Sequence, residues 1–213
     1  MRGDLHIHSK YSYDSLMKPY QILKLCRKLG FDVISITDHD TIKGSLAAKK
    51  YEKEFGIEVL IGEERKTNYG DIIGLNLNEK LKGRNCMEVL EEIKDQGGIS
   101  IFPHPYRGHK NIEDISKHID IIETFNSRNH AEANNRALNL AKNLKKPCVS
   151  GSDAHIYSEI GNSVMVFDDL YGKHKEFSCT YSSKKQKVES YLIKDIKLKK
   201  IHKVPLHLMR LFY

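Results

Sequence analysis

The sequence predicts an α/β fold with mostly parallel strands. Short apolar runs rich in β-branched residues, such as residues 31–37 and 99–102, alternate with longer segments whose apolar residues recur at helical spacing. Several of these apolar runs are followed at once by histidines and acids, as is typical of active sites at the carboxyl ends of parallel strands. The 213 residues suit one domain with a sizeable core. Periodicity alone leaves an open sheet and a closed barrel equally possible.

The first half of the chain begins with a strand and continues as alternating helices and strands. Pro19 is typical of a first helical residue, and Gly30 of the position just after a helix ends. Gly70 marks a turn between two strands. The predicted elements are a strand at 4–8, a helix at 19–29, a strand at 31–37, a helix at 45–55, and strands at 57–61 and 71–75.

The second half repeats the alternation and then changes composition. Its predicted elements are a helix at 87–96, a strand at 99–102, a strand at 119–124, a helix at 131–144 and a short strand at 147–150. Further on, residues 188–192 and 193–201 could each be strand or helix. We therefore predict a catalytic domain over residues 1–172 and a basic C-terminal extension over residues 173–213.

The charge of +7 is concentrated in that extension. Residues 173–213 contain eleven Lys or Arg against three acids, a net charge of +8, whereas residues 1–172 contain 24 basic and 25 acidic residues, a net charge of −1. A basic segment of this kind can bind nucleic acid by releasing counterions, or it can simply be solvated. Both interpretations stay open.

Composition excludes several classes of site and location. The four cysteines are widely separated and form no CxxC pair, so any metal must be held by histidine and carboxylate. No run of about 18 apolar residues predicts a membrane span. The first residues lack the apolar stretch of a signal peptide, and we expect a cytoplasmic protein.

Histidines and acids recur in pairs at the ends of predicted strands. His6 and His8 lie two apart on a strand and so project from the same face. The same alternation of an acid and a histidine occurs in the segments 37–40 and 151–155. Imidazole and carboxylate together favour Zn, Mn or Fe over Ca or Mg. Three such pairs, each after an apolar run, predict a metal site.

Four segments together resemble the motifs of the PHP (polymerase and histidinol phosphatase) family, and they stand in the family's order: Asp4-Leu5-His6-Ile7-His8, Thr37-Asp38-His39-Asp40, Phe102-Pro103-His104-Pro105 and Gly151-Ser152-Asp153-Ala154-His155. The resemblance spans residues 4–155 and continues to about Val166. It implies a distorted seven-stranded (β/α)7 barrel with two or three divalent metal ions, Zn, Mn or Fe, at its mouth.

The resemblance also implies a ligand set for each ion. The family's Gly-x-Glu motif is matched by Gly62-Glu63-Glu64, which selects Glu64. The implied ligands are His6, His8, Glu64 and Asp153 for the first metal, Glu64 and His104 for the second, and Asp14, His39 and His155 for the third.

Asp71 stands where the family often has a second-metal histidine. It precedes the apolar stretch Ile72-Ile73-Gly74-Leu75. A carboxylate there would be a harder ligand and would favour Mn or Fe over Zn. The alternative is that Asp71 only caps the turn after Gly70.

The implied activity is that of a metal-dependent phosphoesterase acting on a phosphomonoester or phosphodiester. Bound metals lower the pKa of water to roughly 7, which predicts a metal-bound hydroxide as the nucleophile. His39 or His155 would stabilise or protonate the leaving oxygen, and Arg107 or Arg128 would grip a phosphate. The substrate would be a small phosphorylated metabolite, a nucleotide or the end of a nucleic-acid strand.

Two other functions fit the same residues. An amidohydrolase-like enzyme could use a similar barrel and metal set to cleave C–N bonds. A regulatory module could retain the metals without turnover and bind nucleic acid through its basic extension.

Overall fold

The structure is a computed structural model that describes residues 1–172 and 174–209. Lys173 and residues 210–213 of the basic extension lie outside the described residues. The strands are β1 (Arg2–Ile7), β2 (Val33–Ile36), β3 (Glu58–Thr67), β4 (Gly70–Leu75), β5 (Ile99–Phe102), β6 (Ile121–Asn126), β7 (Cys148–Gly151), β8 (Ser163–Phe167) and β9 (Lys175–Cys179). The helices are α1 (Pro19–Lys28), α2 (Lys43–Lys49), α3 (Glu52–Phe55), α4 (Cys86–Asp95), α5 (Ile112–His118), α6 (Ala131–Leu144), α7 (Lys184–Lys197) and α8 (Val204–Met209), with 3₁₀ turns at Tyr157–Glu159 and Ile201–Lys203.

All nine strands of the described chain belong to one sheet, in the order β7-β6-β5-β4-β3-β2-β1-β8-β9. The sheet curls until its β7 end meets β1: Ile7 forms a bridge with Ala154, and the His8 amide donates to the Ala154 carbonyl at 2.9 Å. The result is a nearly closed, barrel-like α/β fold. The α/β prediction is confirmed.

The predicted count of seven strands is wrong. Strands β8 and β9 extend the sheet beyond β1, where β8 pairs antiparallel with β1 and β9 pairs antiparallel with β8. The expected predominance of parallel strands is also too strong, since β4 runs antiparallel to both β3 and β5. Only Asn68 and Tyr69 separate β3 from β4, and so short a connection permits a hairpin but not a parallel crossover.

The core lies on both sides of the curved sheet. On the outside, Ile22, Leu23 and Cys26 of α1 pack against Ile34 and other strand residues, which fits the helical spacing seen in the sequence. A further cluster draws side chains from seven different strands, and such a set can meet only within the curve of the sheet: Leu5, Val33, Ile73, Leu75, Ile101, Ile121, Val149 and Met165. This apolar layer fixes the strands whose ends carry the polar residues described next.

The helices of the described chain include none that is both long enough and apolar enough to cross a membrane.

Candidate metal centre

Four buried side chains from three strands converge at one end of the barrel. The His6 Nε2 atom lies 3.6 Å from Glu64 Oε2 and 3.5 Å from Asp153 Oδ1. The His8 Nε2 atom lies 3.4 Å and 3.3 Å from the same two oxygens. His6 and His8 come from the end of β1, Glu64 from β3, and Asp153 from the segment after β7. We call these four residues the first cluster.

The first cluster fits a tetrahedral divalent ion. Metal–ligand bonds of about 2.1 Å in a tetrahedron place neighbouring ligand atoms about 3.4 Å apart, which matches the spacing of the four atoms. Within the described chain, the buried Nε2 atoms of His6 and His8 have no hydrogen-bond partner. Buried polar atoms are normally satisfied, so two such nitrogens aimed at two carboxylates support a metal as their partner.

Glu123 of β6 orients the ring of His6. Its Oε1 lies 2.8 Å from His6 Nδ1, and because a carboxylate only accepts, Nδ1 carries the proton and Nε2 offers its lone pair to the cluster. The Oε2 atom of Glu123 accepts from the His104 backbone N–H at 2.8 Å and from Asn126 Nδ2 at 2.9 Å. The sequence analysis missed Glu123, although an acid within the apolar run Ile121-Ile122 is a signal of a buried functional carboxylate.

Burial and charge set the protonation of the two first-cluster histidines differently. Burial and the charge of His155 lower the pKa of His8 to about 3, so its imidazole is neutral, as a metal ligand must be. Burial also disfavours the charged form of His6, but the carboxylates of Glu123, Asp153 and Glu64 outweigh it and raise its pKa. A bound cation would replace that proton and face the same carboxylates.

Glu64, Asp71 and His104 form a second cluster. His104 Nε2 lies 3.0 Å from Glu64 Oε1, and all three residues offer ligand atoms within 4.8 Å of one another. Burial and the neighbouring charge of Glu64 raise the pKa of Asp71. Its side chain therefore lies among candidate ligands, while its backbone carbonyl accepts from His109 Nε2 at 2.8 Å.

Asp14, His39 and His155 form a third cluster, next to His8. Asp14 Oδ2 lies 3.2 Å from both His39 Nε2 and His155 Nε2. The His155 Nδ1 donates to the Asp153 carbonyl at 2.7 Å, which turns its Nε2 toward Asp14. Burial alone would raise the pKa of Asp14, but the charge and hydrogen bonds of His155 and His39 hold it well below its usual range.

Backbone geometry at two ligands is unusual. His104 and Asp153 have positive φ angles of 32° and 53°. Non-glycine residues rarely adopt this region, and where they do the strain commonly marks a functional site. Gly151 is also constrained, because a Cβ atom there would lie 2.1 Å from Glu123 Oε1 and 2.7 Å from the His6 Cβ. The close approach of β7 to the first cluster thus requires glycine.

The two arginines singled out in the sequence both reach this end of the barrel. Arg107 donates to Asp153 and, at 3.2 Å, to Asn126 Oδ1. Arg128 donates to Glu159 Oε1 and to Ser190 Oγ, both at 2.7 Å. The Arg107 side chain is 38% exposed, whereas that of Arg128 is 8% exposed. The cavity above the clusters is lined by ligands, by both arginines and by four residues that sequence reasoning missed: Tyr13, Ser190, Tyr191 and Lys194.

Three acids that also follow predicted strands lie apart from the centre. Asp38 accepts from the backbone N–H and the hydroxyl of Ser9, and Glu63 accepts from the Leu81 N–H at 3.2 Å. Asp40 is paired with Arg65 and with Arg84. Glu63 and Glu64 are adjacent in β3 and therefore point to opposite faces, so only one of them can reach the centre.

Comparison with known proteins agrees with this geometry. Residues 131–176 match the PHP_C family model, described as PHP-associated. The chain is 46% identical over 154 residues to an uncharacterized protein of Methanocaldococcus jannaschii, a match that covers 65% of this chain and 90% of the relative. The chain belongs to the PHP family. The resemblance drawn from the four motifs is confirmed.

Other members and neighbours of the PHP family are more distant. A 5'-3' exoribonuclease of Haemophilus influenzae is 30% identical over 128 residues, which cover 52% of this chain and 45% of that protein. A two-domain protein of Bacteroides vulgatus, described as containing a predicted PHP-like metal-dependent phosphoesterase, has a TM-score of 0.73 at 16% identity and covers 90% of this chain and 69% of its own. An amidohydrolase of Chromobacterium violaceum has a TM-score of 0.65 at 17% identity and covers 84% of this chain and 93% of its own. These two structures share the fold.

Proposed function

We propose that this protein is a metal-dependent phosphoesterase that hydrolyses a phosphomonoester or phosphodiester. The observation that carries the proposal is the first cluster, whose four ligand atoms have the spacing of a metal's coordination shell. Two further clusters adjoin it, and two arginines stand at the same mouth. A set of adjacent metal sites beside cationic side chains suits the hydrolysis of an anionic ester.

Each cluster is assigned one ion, for a total of two or three divalent metals. His6, His8, Glu64 and Asp153 would hold the first, Glu64, Asp71 and His104 the second, and Asp14, His39 and His155 the third. When bound, such ions supply an activated water and neutralise charge on phosphoryl oxygens.

The protein's own cations would orient the substrate. Arg107 is exposed enough to donate to phosphoryl oxygens, and the planar guanidinium suits their geometry. Arg128 is held by Glu159 and Ser190 and presents a fixed positive charge at the wall of the mouth. Of His39 and His155, only one that is not bound to metal could protonate the leaving oxygen. We assign the pair to the leaving-group side because both line the cavity.

The likeness to a 5'-3' exoribonuclease supports a nucleotide or the end of a nucleic-acid strand as the substrate. Tyr13 agrees with this, since its ring is 40% exposed at the mouth and stacks on His39 with ring centres 4.7 Å apart. An exposed aromatic face can stack on a nucleobase. The competing candidate is C–N bond cleavage, favoured by the fold shared with an amidohydrolase.

A substrate screen with matched variants tests the proposal. Purified protein is assayed with Mn, Zn or Mg against nucleoside monophosphates, short oligonucleotides, p-nitrophenyl phosphate, bis-p-nitrophenyl phosphate and N-acyl amino acids. We expect release of phosphate or nucleotide that Asp153→Asn abolishes and that Asp40→Asn retains, because Asp40 pairs with Arg65 and Arg84 outside the clusters. Cleavage of amides alone would refute the phosphoesterase assignment.

A further inference from the structure

Helix α7 lies against the mouth of the metal centre although it belongs to the basic end of the sequence. It begins at a capping box, in which the Ser183 hydroxyl accepts from the Gln186 N–H and the Gln186 side chain accepts from the Ser183 N–H. One side of α7 lines the cavity through Ser190, Tyr191 and Lys194. These positions are three or four residues apart and so share a face of the helix.

The last residue of α7 is joined to the loop that carries Asp14. Lys197 Nζ donates to the carbonyl oxygens of Lys10 at 2.9 Å and Ser15 at 2.8 Å, and also to that of Ser12. A lysine ammonium has three N–H donors, and each is matched here by one carbonyl. The three carbonyls lie on both sides of Asp14 in the sequence.

This loop has little else to fix its shape. Residues 8–18 contain no helix or strand, so their backbone lacks the regular hydrogen bonds of those elements. Its internal contacts include the Ser12 hydroxyl, which donates to Asp14 Oδ1 at 2.6 Å, and the Ser15 hydroxyl, which donates to the His8 carbonyl at 3.1 Å. Ordering an irregular segment costs backbone entropy, and a charged donor that gathers three carbonyls offsets that cost.

The other end of α7 is joined to the segment that carries His155. Gln186 Nε2 donates to the Ser158 carbonyl at 2.6 Å. Ser190 Oγ accepts from Arg128, which also pairs with Glu159. Glu159 Oε2 in turn accepts from the His155 backbone N–H at 2.9 Å. Helix α7 therefore contacts both segments that supply ligands to the third cluster.

We propose that Lys197 is a positioning residue for the third cluster: its ammonium, held against three carbonyls of the 8–18 loop, keeps Asp14 facing His39 and His155. The proposal rests on the proposed function, because it assumes that the third cluster holds a metal. It concerns one cluster only. The first cluster is built from β1, β3 and the segment after β7, none of which Lys197 contacts.

Metal stoichiometry and affinity test the proposal directly. Metal-free wild type, Lys197→Met and Lys197→Arg are titrated with Mn against a competing chelator, and bound metal is counted by mass spectrometry after dialysis. Lys185→Met is the matched control, since Lys185 is an exposed lysine of the same helix. We expect Lys197→Met to lose one equivalent at limiting metal, with affinity for the weakest site reduced about 10- to 100-fold, as for other residues that support a ligand. The remaining equivalents should bind as in the wild type.

Two further readouts separate positioning from general stability. Lys197→Arg keeps the charge and offers five donors, so it should recover most of the lost affinity. Hydrolytic activity of Lys197→Met should return as Mn is raised, which shifts the Mn activation midpoint and leaves kcat at saturating metal largely intact. A purely structural role would instead lower the unfolding temperature of the metal-free protein and leave the metal count unchanged.

The possible results are distinguishable. If Lys197→Met binds the same number of metals as Lys185→Met, with the weakest affinity within about twofold, the positioning role is refuted while the proposed function stands. If the wild type itself binds no divalent metal, the proposed function fails first. Should Lys197→Met not fold, Lys197→Gln provides the same comparison, because its shorter, neutral side chain cannot serve three carbonyls.

Discussion

Glu123→Gln is expected to weaken metal binding although Glu123 is itself outside the ligand set. The glutamate accepts from three donors: His6 Nδ1 at one oxygen, and the His104 N–H and Asn126 Nδ2 at the other. A glutamine has one oxygen and one NH₂ group, so it can serve only one side. The NH₂ group must then face at least one N–H donor.

The structure sets the size of this effect. The carboxylate has no room to shift, because Gly151 lies so close that even a Cβ there would be 2.1 Å from Glu123 Oε1. A buried donor left without an acceptor costs about 1–3 kcal/mol. If tilting of the His6 ring relieves that cost, Nε2 leaves its place in the first cluster. At 1.4 kcal/mol per factor of ten, metal affinity should fall about 5- to 150-fold.

The assay is a chelator-competition titration of metal-free protein with Zn or Mn. Glu63→Gln is the control, since Glu63 is a buried carboxylate of β3 whose side chain accepts from Leu81 away from the centre. Burial raises the pKa of Glu63 to about 7, so much of the carboxyl is already neutral near that pH and an amide resembles it. Equal affinities for the two variants, with both folded, would refute the role assigned to Glu123.

Three further predictions concern metal removal, the core and the basic extension. Removing metal with a chelator should lower the unfolding temperature by about 5–10 °C, since a metal present at 100 times its Kd contributes about 2.7 kcal/mol; an unchanged transition in calorimetry would contradict metal binding. Phe102→Ala should cost about 3–5 kcal/mol in urea unfolding because Phe102 is fully buried, and a cost below about 1 kcal/mol would contradict its place in the core. If the extension binds single-stranded nucleic acid, replacing the exposed Lys199, Lys200 and Lys203 with Gln should reduce the log–log salt slope by about 0.7 per lost contact, whereas an unchanged slope would exclude these lysines.

Local sequence signals predicted several elements well. The strand at Ile99–Phe102 and the helix at Ala131–Leu144 have the predicted bounds, and α1 begins at Pro19 as expected. These segments carry strong signals, namely a proline at a helix start and a clear change from strand to helical periodicity. The predicted helix at residues 45–55 is instead two short helices, Lys43–Lys49 and Glu52–Phe55.

Elements that depend on distant partners were missed. The pairing of β8 with β1 joins segments about 160 residues apart, and no local pattern reports it. Strand β9 and helix α7 lie in a segment whose lysines obscure its periodicity, so strand and helix were equally possible there. Three of its residues nonetheless line the centre: Ser190, Tyr191 and Lys194.

The candidate site divides in the same way. The histidines and Asp153 follow strands and can be found from their spacing, and Glu64 was chosen over Glu63 by family resemblance. Strand alternation agrees with that choice, since only one of the pair can face the clusters. Glu123 and Lys197 act through contacts with other chain segments, which one sequence does not reveal.

The contacts of α7 also affect how the basic extension should be tested. Deleting residues 173–213 would remove the wall formed by Ser190 and Lys194 and the bonds from Lys197 to the 8–18 loop. A loss of activity after that deletion would therefore not show nucleic-acid binding. Charge-removing substitutions at exposed lysines leave those contacts in place.

The central claim is that the first cluster binds a divalent metal, and the metal content of His6→Ala tests it most directly. Wild type, His6→Ala and His118→Ala are purified in parallel, saturated with Mn or Zn, dialysed and analysed by mass spectrometry. His118 is an exposed histidine at the end of α5 and serves as the control. We predict at least two metal ions per chain in the wild type and in His118→Ala, and at least one fewer in His6→Ala. Equal metal content in all three proteins would contradict the account.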